Sequence, residues 1–101
     1  MADRLTLHAL LKDILSSDRV YFQPPPSVLM KYPAIRYAIK TIDNTFADNS
    51  VYKQDDAYEI TVIDANPDSE YFRKVSHLPK CRFDRFYTAD NLNHWTFTKY
   101  I

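Results

Sequence analysis

The chain contains no glycine at all. Loops that cradle a pyrophosphate need glycine where the backbone closes on the phosphates, so dinucleotide-binding and P-loop architectures are excluded. The same absence means that turn positions of positive φ must fall to Asn and Asp. The stretches DNT, ADN and DAN supply these in quantity. Cysteine is nearly absent too. With Cys81 alone, no intramolecular disulfide can form, and a reducing compartment is expected. No activated-thiol motif lies beside it, so Cys81 reads as a small strand residue.

Net charge is also lacking, with 13 basic side chains against 13 acidic ones. A protein whose main work is holding nucleic acid needs a basic excess or at least a basic stripe. Lys80, Arg82 and Arg85 come nearest to one, and they read as solvated strand positions. No apolar run approaches the length of a membrane span, and MADRLTLHALLKDIL has acidic and polar breaks where a signal peptide would be continuous. The expectation is a soluble, unexported protein that meets no membrane.

What is present is an ordinary globular balance, 46% hydrophobic and 26% charged over 101 residues. That suits a single domain, 1–101, with one modest core. Any cleft would be shallow or shared between subunits.

Residues 4–16 place Leu7, Leu10, Leu11, Ile14 and Leu15 on one helical stripe, with Asp3 as the expected cap and His8 as a solvated position. In the stretch YFQPPPSVLMKYP, residues 21–33, Pro24 to Pro26 forbid helix and central strand, so it should be a stiff extended spacer. Ala34–Asp43 alternates Ile35, Tyr37 and Ile39 with Arg36, Ala38 and Lys40. Asp56–Asp64 alternates Tyr58, Ile60 and Val62 with Glu59, Thr61 and Ile63. Between them, 44–54 reads as a long polar loop holding two aromatics, Phe46 and Tyr52.

A second helix should start at Asp68 or Ser69 and stop before Pro79, with Phe72, Val75 and Leu78 inward and His77 near its end. Two aromatic strands, Cys81–Thr88 and His94–Ile101, close the chain. The order α-β-β-α-β-β predicts an α+β fold: a mostly antiparallel four-stranded sheet with two packed helices.

The octet YTADNLNH, residues 87–94, holds Asp90 and His94 four apart. On a helix these would share a face and could ligate metal or relay a proton. Two ligands make no zinc site, however, and neither HExxH nor CxxC is present. As a strand connection the octet has a simpler use, with Asn91 and Asn93 serving the turn backbone. No paired carboxylates, GxSxG or Cys/His signature appears elsewhere. The reading is of a non-enzyme with no catalytic residues, no metal and no cofactor.

The stretches VYFQPPPSVLMKYPAIRY, FADNSVY, YEITVIDANPDSE and CRFDRFYTADNLNH, spanning about residues 20–100 in order, resemble the tail terminator or tail-to-head joining proteins of tailed bacteriophages. The resemblance implies a structural virion protein, made in the host cytoplasm and placed at the tail-head junction. It would form a homo-oligomeric ring, commonly a hexamer, that ends tail-tube polymerisation. Its partners would be itself, the tail tube protein and the head connector or head-completion protein. DNA would pass through the lumen without sequence-specific binding. The rival readings are a head-completion adaptor of the same neck, a nucleic-acid-binding module, and a small enzyme using Asp90 and His94. Expected interface residues are Phe46, Asp48, Asn49 and Tyr52 in the long loop, and Tyr87, Asp90, Asn91 and His94 in the octet. Eight tyrosines suit such interfaces, since each combines apolar area with a polar tip.

Overall fold

The computed structural model describes residues 4–24, 31–47 and 50–100, and within 42–47 and 50–55 it describes the backbone. Helix α1 is Arg4–Leu15, followed by strands β1 (Val20–Phe22), β2 (Ala34–Ala47) and β3 (Ser50–Asp64). Helix α2 is Tyr71–Ser76, and strands β4 (Cys81–Ala89) and β5 (Leu92–Tyr100) complete the chain. The five strands form one sheet in the order β1-β2-β3-β5-β4.

This corrects the expected four-stranded sheet. The extra strand overlaps the stretch read as a spacer: Val20, Tyr21 and Phe22 pair in parallel with Ile35, Arg36 and Tyr37, so the sheet is mixed. Side-chain bonds fasten this short edge. Arg19 Nε donates to the Pro33 carbonyl at 3.0 Å, and the Ile39 amide donates to Gln23 Oε1 at 3.1 Å.

The second correction concerns 44–54. The hairpin pairs onward from Ile42↔Asp56 through Asn44↔Gln54 and Thr45↔Lys53 to Ala47↔Ser50, so the expected loop is two strand segments. Turn-prone residues here are outweighed by the continuing β ladder, in which each strand bonds the inward row of the other's backbone groups. Asp48 and Asn49 lie outside the described residues, as do Asp3, Pro25 and Pro26.

One face of the sheet carries both helices. Leu7, Leu11 and Leu15, spaced by four, are the buried residues of α1, while Leu10 is exposed rather than inward. They pack with Val20, Ile35, Tyr37, Tyr58, Ile60, Val62, Val75, Trp95 and Phe97. Each fully buried Leu, Ile or Phe contributes about 1.5–3 kcal/mol relative to exposure, so this face holds the fold together. Tyr37 bolts α1 down: its hydroxyl lies 2.7 Å from His8 Nδ1 and accepts from Arg4 at 3.2 Å. His8 is therefore a bonded helix residue, not a solvated one.

Six-residue α2 is too short to be stable alone. Its Glu70 cap makes no side-chain capping hydrogen bond, whereas Ser69 Oγ accepts from the Tyr71 amide at 3.3 Å. Tertiary packing supplies the rest, through buried Val75 and Phe72 stacked on Trp95 at 4.6 Å.

The opposite face carries no helix, yet its centre is closed. Ile63, expected on the solvent side, is 1% exposed, and Thr61, Thr96 and Thr98 are buried beside it. Small residues in mid-sheet are flanked by longer ones: Lys40 Nζ donates to Thr98 Oγ1 at 2.9 Å, and Arg36 reaches the Tyr87 hydroxyl at 3.5 Å.

Candidate functional site

The octet is resolved by its turn. β4 ends at Ala89, β5 begins at Leu92, and these two residues pair, leaving Asp90 and Asn91 as a two-residue hairpin connection. Both have positive φ, 54° and 62°, as a type I′ turn requires. Glycine is the usual occupant, and here Asp and Asn take the strained positions. The expectation that Asn and Asp would fill all such places needs correction, because Ser16, Gln23 and Lys80 also have positive φ. Asn93 has ordinary strand geometry and instead ties the hairpin to the β3 end, its Nδ2 donating to the carbonyls of Asp64 and Ala65.

Tyr87 and His94 face each other across the strands. The His94 Nδ1–H donates to the Leu92 carbonyl at 3.1 Å, which fixes the tautomer because a carbonyl can only accept. Burial lowers the His94 pKa; the Leu92 bond opposes this, Arg36 adds to the lowering, and Asp90 opposes it by charge alone. Asp90 and His94 share no hydrogen bond, so neither a proton relay nor a two-ligand grip is assembled. Among the described residues no group of three or more His, Cys, Asp or Glu side chains is placed to hold a metal ion.

A second polar cluster sits where β4 bulges between Phe83 and Arg85. The extra residue, Asp84, accepts from Thr98 Oγ1, lies 3.6 Å from Lys40 Nζ, and accepts from Arg82 Nε at 3.2 Å. Partial burial works to raise the Asp84 pKa, but the bonds from Thr98 and Arg82 and the charge of Lys40 outweigh it and hold the carboxyl below its usual range. The cluster is a fully partnered network on an open sheet face. It has no nucleophile and no enclosed cavity.

Cys81 lies at the start of β4, half-buried against the core. Burial pushes its thiol pKa up, which makes it a poorer nucleophile at neutral pH. Nearby Lys99 is buried as well, and its Nζ donates to the Pro79 carbonyl at 2.7 Å.

Two features remain that no internal packing explains. The first is β4 itself, a nine-residue edge strand. On its helix side Phe83 and Phe86 are 51% and 48% exposed. With Phe72, Trp95 and Phe97 they line an open groove of about 240 Å³ between α2 and the strand. Sequence reading noted these aromatics only as strand alternation; that β4 is an edge could not be read from periodicity.

The second feature is the hairpin arm, Ile42–Ala47 with Ser50–Asp56. The β5 ladder on β3 stops at Ala57↔Tyr100, and β1 meets β2 only at residues 35–37. Beyond those points, among the described residues, the two strands pair only with each other. The radius of gyration, 14.7 Å, exceeds the roughly 13 Å of a compact chain this long, and the longest extent is 51 Å. Phe46 and Tyr52 belong to this arm, though their side chains lie outside what is described.

Those expected site residues that are described thus fall into two separate places, Phe46 and Tyr52 in the arm and Tyr87, Asp90, Asn91 and His94 in the β4–β5 hairpin. Among the described residues no helix is long and apolar enough to cross a membrane. In the three comparisons with known proteins, no family model, no curated protein and no solved structure matches this chain.

Proposed function

We propose that the chain is a structural assembly protein that closes into a ring at the head-proximal end of a phage tail tube, ends tube growth and joins tail to head. The observation that supports it most is the arm. Six residue positions at about 3.4 Å each carry the β2–β3 pair roughly 20 Å past its last neighbouring strand among the described residues. An isolated two-stranded ribbon is marginally stable in water. A contact with another subunit gives it both a reason and a support.

The resemblance of 20–100 to phage tail-terminator proteins supplies the setting, a hexameric ring with tail tube protein on one side and the head connector on the other. Phe46 and Tyr52 are the arm residues proposed to be dehydrated at the contact, since large aromatics dominate interface energetics. The octet residues Tyr87, Asp90, Asn91 and His94 belong to the β4–β5 hairpin and its turn, and a contact there is secondary. A head-completion adaptor of the same neck is the alternative, and ring stoichiometry and the surface bound decide between them.

Light scattering on the purified protein, alone and with tail tubes, is the test. The expected result is a discrete closed oligomer that caps one tube end in electron micrographs. The variant Phe46→Ser with Tyr52→Ser should stay folded and fail to form it. A wild type that stays monomeric even with tubes present would remove the ring reading.

A further inference from the structure

We propose that the arm of one copy docks along the free edge of β4 on the next, acidic ribbon against basic strand, which deepens and rests on the ring reading. Four observations converge on it.

The first is unsatisfied edges. Among the described residues β4 has β5 on one side only, and its other edge has no strand partner, a template for strand addition. The arm has two such edges beyond its last neighbours. Lengths agree, since seven residues of Ser50–Asp56 span about 24 Å and nine of β4 about 30 Å at strand rise.

The second is charge. Lys80, Arg82 and Arg85 lie on or beside β4, and its one carboxylate, Asp84, is already engaged by Lys40 and Arg82. The described part of the arm carries Asp43, Asp55 and Asp56 against Lys53 alone. A chain of zero net charge has therefore segregated its charge between the two elements.

The third is the arm's register. Asp43 and Asp55 are direct cross-strand partners. Like charges directly opposite destabilise a ribbon unless a cation is brought to them, and Arg82 or Arg85 of the next copy would be that cation.

The fourth is apolar complementarity. Phe83 and Phe86 stand exposed beside the same edge, and the arm supplies Phe46, Val51 and Tyr52.

The contact must be between copies. Within one chain β4 lies two strands from β3, about 10 Å across the sheet and facing away from the arm. Each copy offers one arm and one β4 edge, so the interface is head-to-tail and closes into a ring when the rotation per copy allows.

Hydrogen exchange on the wild-type protein reads the interface without any mutation. Amides within Arg82–Ala89 should gain protection at concentrations where the protein assembles, relative to dilute monomer. Equal exchange in an assembled sample would overturn the proposal while leaving the ring reading intact. Charge reversal gives the second arm. Arg82→Glu with Arg85→Glu, and separately Asp43→Lys with Asp55→Lys, should each weaken assembly at least about tenfold, and combining all four should restore most of it. Circular dichroism checks that each variant is folded. Reversals that leave assembly unchanged, or a combination that restores nothing, would overturn the docking. A wild type that never assembles would instead remove the ring, and the docking with it.

Discussion

Tyr87 and His94 are direct partners across β4 and β5, and their rings stack with centroids 4.7 Å apart and planes 16° from parallel. Arg85 lies over the Tyr87 ring at 5.1 Å. The octet thus spends its histidine on packing, with the second nitrogen of no ligand set.

That packing carries a pH dependence. Burial depresses the His94 pKa and, with help from Lys12 and Arg4, the His8 pKa as well. A histidine depressed in the folded state leaves the unfolded chain holding more protons just below about pH 6.5, so stability rises with pH there. The contribution is complete above the unfolded value and is lost as pH falls through the folded one. The urea midpoint should therefore drop between about pH 7.5 and about pH 5.5, and His94→Gln should flatten that slope. A midpoint constant across this window would contradict the burial of both rings. Asp84, held below its usual range, acts in a lower window: its contribution is present above the unfolded value near pH 4 and is lost as pH falls further.

The turn should respond to side-chain shape. A β-branched residue at positive φ costs about 1–2 kcal/mol, so Asn91→Val should destabilise by that amount, while Asn91→Gly should be neutral or mildly stabilising. Chemical denaturation measures both. Elemental analysis of dialysed protein should meanwhile find no stoichiometric transition metal; about one zinc per chain would overturn the structural reading of Asp90 and His94.

Tyr37→Phe isolates the bolt between α1 and the sheet. The depressed His8 is neutral near pH 7, so its Nδ1 can accept the Tyr37 proton while Arg4 donates to the same oxygen. Removing the hydroxyl keeps the buried ring and should cost about 1–1.5 kcal/mol, with faster exchange of α1 amides. An unchanged α1 would mean that leucine packing alone holds the helix.

Cys81→Ser should fold and assemble. The wild-type thiol, raised by burial, should alkylate more slowly than in the unfolded chain. A folded Cys81→Ser variant that fails to assemble would put the thiol in an interface.

The legible part of this protein is what a fixed side-chain period writes into the chain. Leu7, Leu11 and Leu15 mark a helix face, and Tyr58, Ile60 and Val62 mark a strand face, because neighbours on one face recur at constant spacing whatever lies opposite. A turn between β4 and β5 was legible too, since Asp and Asn tolerate the backbone it needs.

The rest depends on partners distant in sequence. Three residues of β1 carry no periodicity of their own and become a strand only because β2 offers a parallel edge. The polar run 44–54 looks like a loop to any local rule, yet each strand of the hairpin bonds the inward row of the other's backbone groups. Ile63 alternates as a solvent residue, and it is buried on a face whose threonines and long side chains are drawn from four strands. Strand order is the least local property of all. By the two-residue period alone Phe83 and Phe86, three apart, belong on opposite faces; the bulge at Asp84 brings them to one, and the pairing of β5 between β3 and β4 leaves that face at an edge, beside backbone groups that nothing within the described chain pairs.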